Sequence, residues 1–162
     1  MPRKKEADSE FMEMIQQNEG IIYKVTSFYT DTGHPIGDLY QEVVLNLWRA
    51  YPSFRGESKY STWVYRIALN TCISFYRRSK KDISYIDITT DIPDIADNSE
   101  DIQELYKLIN CLGKIERALV LLYLDDKSYK EIAEITGLTL TNVSTKLNRI
   151  KEKLRQMSNQ NN

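Results

Sequence analysis

The chain has 162 residues and a formal net charge of -1 at pH 7, a length that allows one large domain or two small ones. Its longest apolar run, Ala118 to Leu124, is too short to span a bilayer, and the charged N-terminus leads into no signal-peptide core. Cys72 and Cys111 lie far apart without metal-ligand spacing, which predicts buried free thiols. We therefore expect a cytoplasmic protein without direct membrane insertion.

The charges are unevenly distributed along the chain. Residues 38–81 carry eight bases against three acids, and residues 127–155 carry seven bases against three acids. Between these blocks, residues 82–104 carry eight acids and no base. Two basic blocks that could contact phosphates thus flank an acidic segment that nucleic acid would repel.

Apolar residues at helical spacing predict two helices in the first 50 residues. The first runs from Ser9 to Phe28. The second begins with Asp38 as its N-cap, paired with Gln41 at the reciprocal capping-box position, and ends near Ala50. The predicted buried positions of these helices are Phe11, Ile15, Ile22, Val25, Phe28, Leu39, Val43 and Leu47, with Val44 or Trp48 as further candidates.

A loop is predicted at residues 52–59, where an aromatic residue, cations, a glycine and a hydroxyl occur together. A helix follows from Tyr60 to about Arg78, with Trp63 in the core. Its interleaved tyrosines and arginines are typical of surfaces that bind single-stranded nucleic acid. A set of core aromatics with a basic helix C-terminus is the alternative, and the pattern leaves the tyrosines undecided.

The acidic stretch 82–99 contains Pro93 and favours an extended linker between two helical domains, with a short strand as the alternative. Helices are then predicted from Glu100 to Leu112 and from Lys114 to Leu124. They would form the platform for the segment that follows.

Residues 128–155 are typical of two short helices around a glycine. Ser128 and Glu131 form a capping box, Gly137 ends the first helix, and Thr139 caps the second. One side of the second helix is apolar and the other carries hydrogen-bonding and cationic side chains, which favours a DNA-binding helix-turn-helix. The alternative is an ordinary αα-hairpin with a solvated polar face.

Three segments in the same order resemble bacterial RNA polymerase sigma factors of the extracytoplasmic-function (ECF) type, in the sigma-70 family. They are GDLYQEVVLNLW, FRGESKYSTWVYRIALNTCISFYRR and SYKEIAEITGLTLTNVSTKLNRIKEKLR. The resemblance implies an all-α fold of two small helical domains joined by an acidic linker. Residues 1–81 would be region 2, residues 82–99 the linker, and residues 100–162 region 4, a four-helix domain containing the helix-turn-helix.

The resemblance also implies three sets of binding residues. Core polymerase would contact Asp38, Leu39, Gln41, Glu42 and Val43. The melted minus-ten element would contact Phe54, Arg55, Gly56, Glu57, Ser58, Lys59, Arg66, Asn70, Arg77 and Arg78. The minus-thirty-five element would contact Thr141, Asn142, Thr145, Lys146 and Arg149, with phosphates meeting Lys151, Lys153 and Arg155.

The implied partners are core RNA polymerase, promoter DNA and an anti-sigma factor, with no cofactor, metal or catalytic residue. The sequence departs from the family pattern at Leu112-Gly113, where Leu-Pro is common, and this departure is expected to loosen the start of the following helix.

Two other functions compete with a sigma factor. A DNA-binding regulator that does not engage polymerase would normally carry a receiver or ligand pocket, and the helical, aromatic first half lacks the alternating strands of a receiver. An enzyme would need a catalytic cluster, whereas the single histidine, His34, adjoins Pro35 in a predicted turn.

Overall fold

The computed structural model describes residues 2–30, 36–79 and 100–160, and every regular element in these ranges is helical. The elements are α1 (Pro2–Tyr29), α2 (Ile36–Ala50), a short 3-10 helix (Tyr51–Ser53), α3 (Tyr60–Ser79), α4 (Glu100–Asn110), α5 (Lys114–Leu124), α6 (Tyr129–Thr136) and α7 (Leu140–Gln160). They form two compact units, α1–α3 and α4–α7. The predicted pair of helical domains is confirmed, while the acidic linker and the turn at His34 lie outside the described residues.

The first unit is a three-helix packing in which α1 contacts both α2 and α3. Its core contains Ile22, Val25, Leu39, Val43 and Val64, each almost fully buried. Full burial of one such side chain contributes about 1.5–3 kcal/mol, so the apolar stripes of the three helices hold the unit together. The predicted buried faces of α1 and α2 are therefore confirmed.

Two details of α2 differ from the sequence prediction. The helix begins at Ile36, so Asp38 lies inside its first turn and is not the N-cap. A carboxylate in the first turn still interacts favourably with the unpaired N–H groups there. Trp48 is 42% exposed because it lies away from the stripe formed by Leu39, Val43 and Leu47.

The second unit consists of α4–α7, with α7 contacting each of the other three helices. Helix α5 supplies five consecutive buried residues, Ala118–Leu122, so it forms the centre of this core. Ile132 and Ile135 of α6 are buried as well. The predicted four-helix domain with a helix-turn-helix is thus observed.

The turn between α4 and α5 is held by hydrogen bonds that the sequence did not suggest. The Gly113 N–H donates to Glu116 Oε1 at 3.1 Å, and the Arg117 guanidinium donates to the Asn110 and Leu112 carbonyls at 2.8 and 3.2 Å. These bonds satisfy backbone groups that helix ends leave unpaired. The expected loosening at Gly113 is not found, since α5 begins immediately afterwards at Lys114.

The two cysteines lie in different environments. Cys72 is buried in the first unit, whereas Cys111 is exposed, so the prediction of two buried thiols is wrong for Cys111. The reason is its place just beyond the last residue of α4, outside the apolar stripe of that helix. Burial raises the pKa of the Cys72 thiol to about 12.

We expect the thiols to differ in reactivity towards a disulfide reagent such as dithionitrobenzoate. Cys111 should react rapidly in the folded protein, and Cys72 only on unfolding, because a buried thiol with a raised pKa is protonated at mildly alkaline pH. Absorbance of the released thiolate measures both phases. The variant Cys111→Ser should lose the rapid phase, and equal rates for both thiols in the wild type would contradict the described burial.

No helix in the three described ranges has the length and apolar character needed to cross a membrane.

Candidate nucleic-acid interface

The exposed side of α2 carries the polar residues that the sequence assigned to a docking surface. Asp38 and Gln41 are exposed, and Glu42 is partly exposed. Leu39 and Val43, which were assigned to the same surface, are 1% and 0% exposed in the core of the first unit. We correct their role accordingly, since side chains on the buried stripe fix the position of α2 and cannot themselves contact a protein docked on the surface.

The loop between α2 and α3 is anchored by aromatic packing. The Phe54 ring stacks on Tyr60, with centroids 4.6 Å apart, and lies 5.0 Å from the Trp63 ring. Tyr51 lies 6.4 Å from Trp63 and 5.3 Å from Phe11, extending the aromatic set to α1. Such contacts add about 0.5–1.5 kcal/mol each beyond burial, so Phe54 holds the loop against the domain.

The remaining loop residues project from this anchor. Arg55, Glu57 and Lys59 are exposed and Ser58 is partly exposed, while Gly56 has a φ of +73°, in the left-handed region that favours glycine. Burial, followed by a hydrogen bond with Tyr60, raises the pKa of Tyr51, so its phenol is neutral at physiological pH. The loop therefore presents the cations of Arg55 and Lys59 and the carboxylate of Glu57 to solvent, next to an uncharged cluster of aromatic side chains.

Helix α3 presents an exposed stripe at four-residue spacing. Arg66, Asn70 and Ser74 lie on this stripe, one helical turn apart. Two of the tyrosines left undecided by the sequence are now distinguished, because Tyr65 is fully buried and Tyr60 is 42% exposed, while the side chain of Tyr76 lies outside the described set. The backbones of Arg77 and Arg78 belong to the last turn of α3, and their side chains lie outside the described set.

The local signals of the helix-turn-helix form largely as the sequence predicted, although only the serine half of the predicted Ser128–Glu131 capping box is observed in the described residues. Ser128 Oγ accepts a hydrogen bond from the Glu131 N–H at 3.1 Å, and Thr139 Oγ1 accepts one from the Asn142 N–H at 3.1 Å. Gly137 ends α6 with a φ of +78°, and its N–H donates to the Ala133 carbonyl at 2.9 Å. These short-range bonds set the angle at which α7 leaves the turn.

We expect Gly137→Ala to destabilise the second unit by about 1 kcal/mol, because alanine at a positive φ is strained. An added Cβ would meet no atom within 4 Å, so backbone strain accounts for the whole expected loss. Urea denaturation of the full chain measures it. Gly137→Asn should lower the free energy of unfolding by less, since asparagine tolerates a positive φ better than alanine. An equal decrease for both variants would contradict backbone strain as the cause.

Helix α7 separates its two faces clearly. Val143, Leu147 and Ile150 are buried against the other helices, as the sequence predicted. The exposed positions on the other side include all five side chains that the sequence assigned to base contacts: Thr141, Asn142, Thr145, Lys146 and Arg149. The structure therefore gathers these residues on one accessible surface, which we call the α7 polar face.

Lys151 and Lys153 differ from these five residues because they contact α5. Lys151 Nζ lies 4.3 Å from the centroid of the Tyr123 ring, a cation–π contact. Lys153 Nζ lies 3.4 Å from Glu116 Oε1. Both lysines remain exposed, so these contacts with α5 leave their ammonium groups accessible to solvent.

Comparison with known families identifies both units. The family described as Sigma-70 region 2 matches residues 14–82, and the family described as Sigma-70, region 4 matches residues 102–154. The two matched segments include helix α2, the loop between α2 and α3, and the helix-turn-helix.

Curated relatives cover most of the chain. The RNA polymerase sigma factor YlaC of Bacillus subtilis is 34% identical over 132 residues, covering 74% of this chain and 75% of its own length. The ECF RNA polymerase sigma factor SigW of the same organism is 28% identical, and the match covers 94% of this chain and 91% of SigW. The ECF RNA polymerase sigma-E factor of Escherichia coli is 28% identical, with 81% and 77% covered.

Two solved structures have a similar fold. The sigma factor RpoE from Bartonella quintana, crystallised with the anti-sigma factor NepR, has a TM-score of 0.77 at 19% identity, covering 93% of this chain and 97% of that one. CnrH, in complex with the cytosolic domain of CnrY, has a TM-score of 0.70 at 16% identity, with 96% and 91% covered.

Proposed function

Since this chain belongs to the sigma-70 family as an ECF RNA polymerase sigma factor, and so directs promoter-specific transcription initiation, we propose that three of its surfaces bind polymerase, the minus-ten element and the minus-thirty-five element. The observation that carries the proposal is the α7 polar face, with five exposed hydrogen-bonding or cationic side chains opposite a buried stripe.

The polymerase-binding surface is the exposed side of α2. Asp38, Gln41 and the partly exposed Glu42 supply its polar groups. Leu45 and Trp48 follow Gln41 at helical spacing and remain exposed, which adds apolar area. Surfaces that combine an exposed aromatic residue with flanking polar groups are typical of protein interfaces, and this composition supports the assignment.

The minus-ten surface comprises residues 54–59 with Arg66, Asn70, Arg77 and Arg78. A base extruded from the non-template strand would be held by the loop, at an unstacking cost of about a few kcal/mol that contacts to the base and phosphates offset. The anchored Phe54 supports this role because a loop held in one conformation loses less entropy on binding. Arg55 and Lys59 supply cations for the phosphates.

The minus-thirty-five surface is the α7 polar face placed in a major groove. The N-terminal residues of a recognition helix contact base edges, and Thr141, Asn142 and Thr145 occupy the first two turns of α7. Asparagine can pair bidentately with adenine and arginine with guanine, so Asn142 and Arg149 would carry most of the sequence preference. Lys146 would also reach into the groove, while Lys151, Lys153 and Arg155 would contact phosphates, which position the helix without specifying sequence.

The domain limits that we propose are residues 1–81 for region 2, 82–99 for the linker and 100–162 for region 4. The proposed role is DNA recognition without catalysis, in the cytoplasm where polymerase and promoter DNA are found. Solved complexes of RpoE with NepR and of CnrH with CnrY support a further proposal, that an anti-sigma factor binds this chain.

In vitro transcription tests the proposal. Purified protein and sigma-free core polymerase are incubated with a pool of genomic promoter fragments, and transcript starts are mapped. Discrete starts that share two upstream elements are expected. DNA binding by the folded protein without core-dependent starts would instead favour a regulator that does not engage polymerase.

A further inference from the structure

The cations of α7 differ in their ionic partners. Lys146 and Arg149 make no ion pair with any residue in the part of the chain that the structure describes. Lys153 Nζ, in contrast, lies 3.4 Å from Glu116 Oε1 of α5. The two cations assigned to the groove are therefore unpaired, whereas this cation, assigned to a phosphate, already faces a carboxylate from another helix.

Lys153 lies on the same stripe of α7 as residues assigned to the groove. Asn142, Lys146, Arg149 and Lys153 follow one another at spacings of four, three and four residues, which places them on one side of the helix. Each of them is exposed. The Glu116 carboxylate thus lies at the C-terminal end of a stripe that the proposed minus-thirty-five function places against DNA.

The start of α5 fixes the position of the Glu116 carboxylate. Its Oε1 accepts a hydrogen bond at 3.1 Å from the N–H of Gly113, the N-cap residue of α5. The same oxygen faces the Lys153 ammonium, and the side chains of Glu116 and Lys153 are 34% and 48% exposed. Because the backbone bond restrains the carboxylate, the negative charge stays beside Lys153 while both groups remain accessible to solvent.

We propose that Glu116 competes with DNA phosphate for Lys153, and so limits the affinity of the second unit for duplex DNA of any sequence. An ammonium group paired with a carboxylate must give up that partner, or share it, when a phosphate approaches. Phosphates are alike in every sequence, so the competition leaves the base contacts unaffected. Less of the free chain is then bound to non-promoter DNA before it meets polymerase. The proposal rests on the proposed minus-thirty-five function of α7.

The test uses the whole chain without polymerase and labelled duplexes with an intact or a scrambled minus-thirty-five element. Fluorescence anisotropy gives each affinity between about 50 and 200 mM salt, a range in which phosphate contacts weaken strongly. Glu116→Gln is the test variant, because the carboxamide oxygen can still accept the hydrogen bond from Gly113. Glu104→Gln is the control with the same charge change, at an exposed position of α4 that makes no ion pair within the described residues.

We expect Glu116→Gln to bind both duplexes about two- to fivefold more tightly at the lowest salt concentration, which corresponds to the strength of one exposed ion pair. The ratio of the affinities for the intact and scrambled elements should not change. The logarithm of the binding constant should fall more steeply with the logarithm of the salt concentration, by up to about one phosphate contact. Glu104→Gln should bind both duplexes like the wild type.

The variant Lys153→Gln distinguishes competition for Lys153 from repulsion of DNA by Glu116 alone. In that background Glu116→Gln should produce less than half of its gain in affinity, because no ammonium group remains to be released. A gain of half or more would overturn the proposal, since Glu116 would then act without Lys153.

Two further results would also overturn the competition at Lys153. One is an unchanged affinity of Glu116→Gln when circular dichroism shows the variant folded, and the other is a gain confined to the intact element. Either result would leave the minus-thirty-five assignment in place. A wild-type holoenzyme that transcribes equally from intact and scrambled minus-thirty-five elements would refute that underlying function instead.

Discussion

Replacing Asp38 and Gln41 together by alanine is expected to weaken binding to core RNA polymerase by at least about tenfold, the effect of losing one or two central interface contacts. Both side chains are exposed on α2, so their removal creates no cavity. The fold should persist, because losing a first-turn carboxylate costs only about 0.3–1 kcal/mol. Titration of labelled core polymerase with each variant measures the change.

The matched control for this variant lies on α1. Glu13 and Gln16 are an exposed acid and amide at the same three-residue spacing, so Glu13→Ala with Gln16→Ala removes the same groups from another surface. The control should bind core polymerase like the wild type, and circular dichroism should show both proteins folded. Unchanged affinity in the Asp38 and Gln41 variant would refute the α2 docking surface.

Arg149→Ala is expected to reduce transcription from a promoter with an intact minus-thirty-five element by roughly tenfold, since one bidentate contact to a base pair is worth about 1–3 kcal/mol. The side chain is exposed in the middle of α7, away from the buried Val143, Leu147 and Ile150. Stability and core binding should therefore be unaffected. Run-off transcription on paired promoters, with the element intact or scrambled, provides the measurement.

The scrambled promoter distinguishes a sequence-specific contact with a base from sequence-independent attraction between Arg149 and the DNA phosphates. On the scrambled promoter, Arg149→Ala should produce as much transcript as the wild type, because neither protein can make the specific base contact there. Lys107→Ala removes an exposed cation from α4 and should leave both promoters unaffected. An equal loss from intact and scrambled elements would show that Arg149 supplies charge alone.

Local signals explain why the helix-turn-helix could be predicted from sequence. Ser128, Gly137 and Thr139 act within three or four residues of themselves, so their hydrogen bonds follow from spacing. Amphipathic periodicity likewise identified the buried residues of α2 and α7. Structural features that depend on residues close together in the sequence could therefore be predicted without the structure.

Contacts between helices could not be predicted from the same patterns. The packing of Lys151 on Tyr123 and of Phe54 on Tyr60 and Trp63 depends on how elements meet in space. Spacing marked Lys151 only as a cation on an amphipathic helix, which is equally suited to DNA and to a ring. The burial of Leu39 likewise shows that a family motif contains residues that support a surface as well as residues that form it.

The two halves of α7 differ in how they are tied to the rest of the second unit. Lys151 and Lys153, in the later half, contact Tyr123 and Glu116 of α5, whereas the exposed side chains of Thr145 and Arg149 point to solvent. Exposed positions of this kind accept substitution with changes of about 0.5 kcal/mol or less. Under the proposed role of the α7 polar face, a few substitutions at such exposed positions would therefore change promoter preference without altering the folded scaffold.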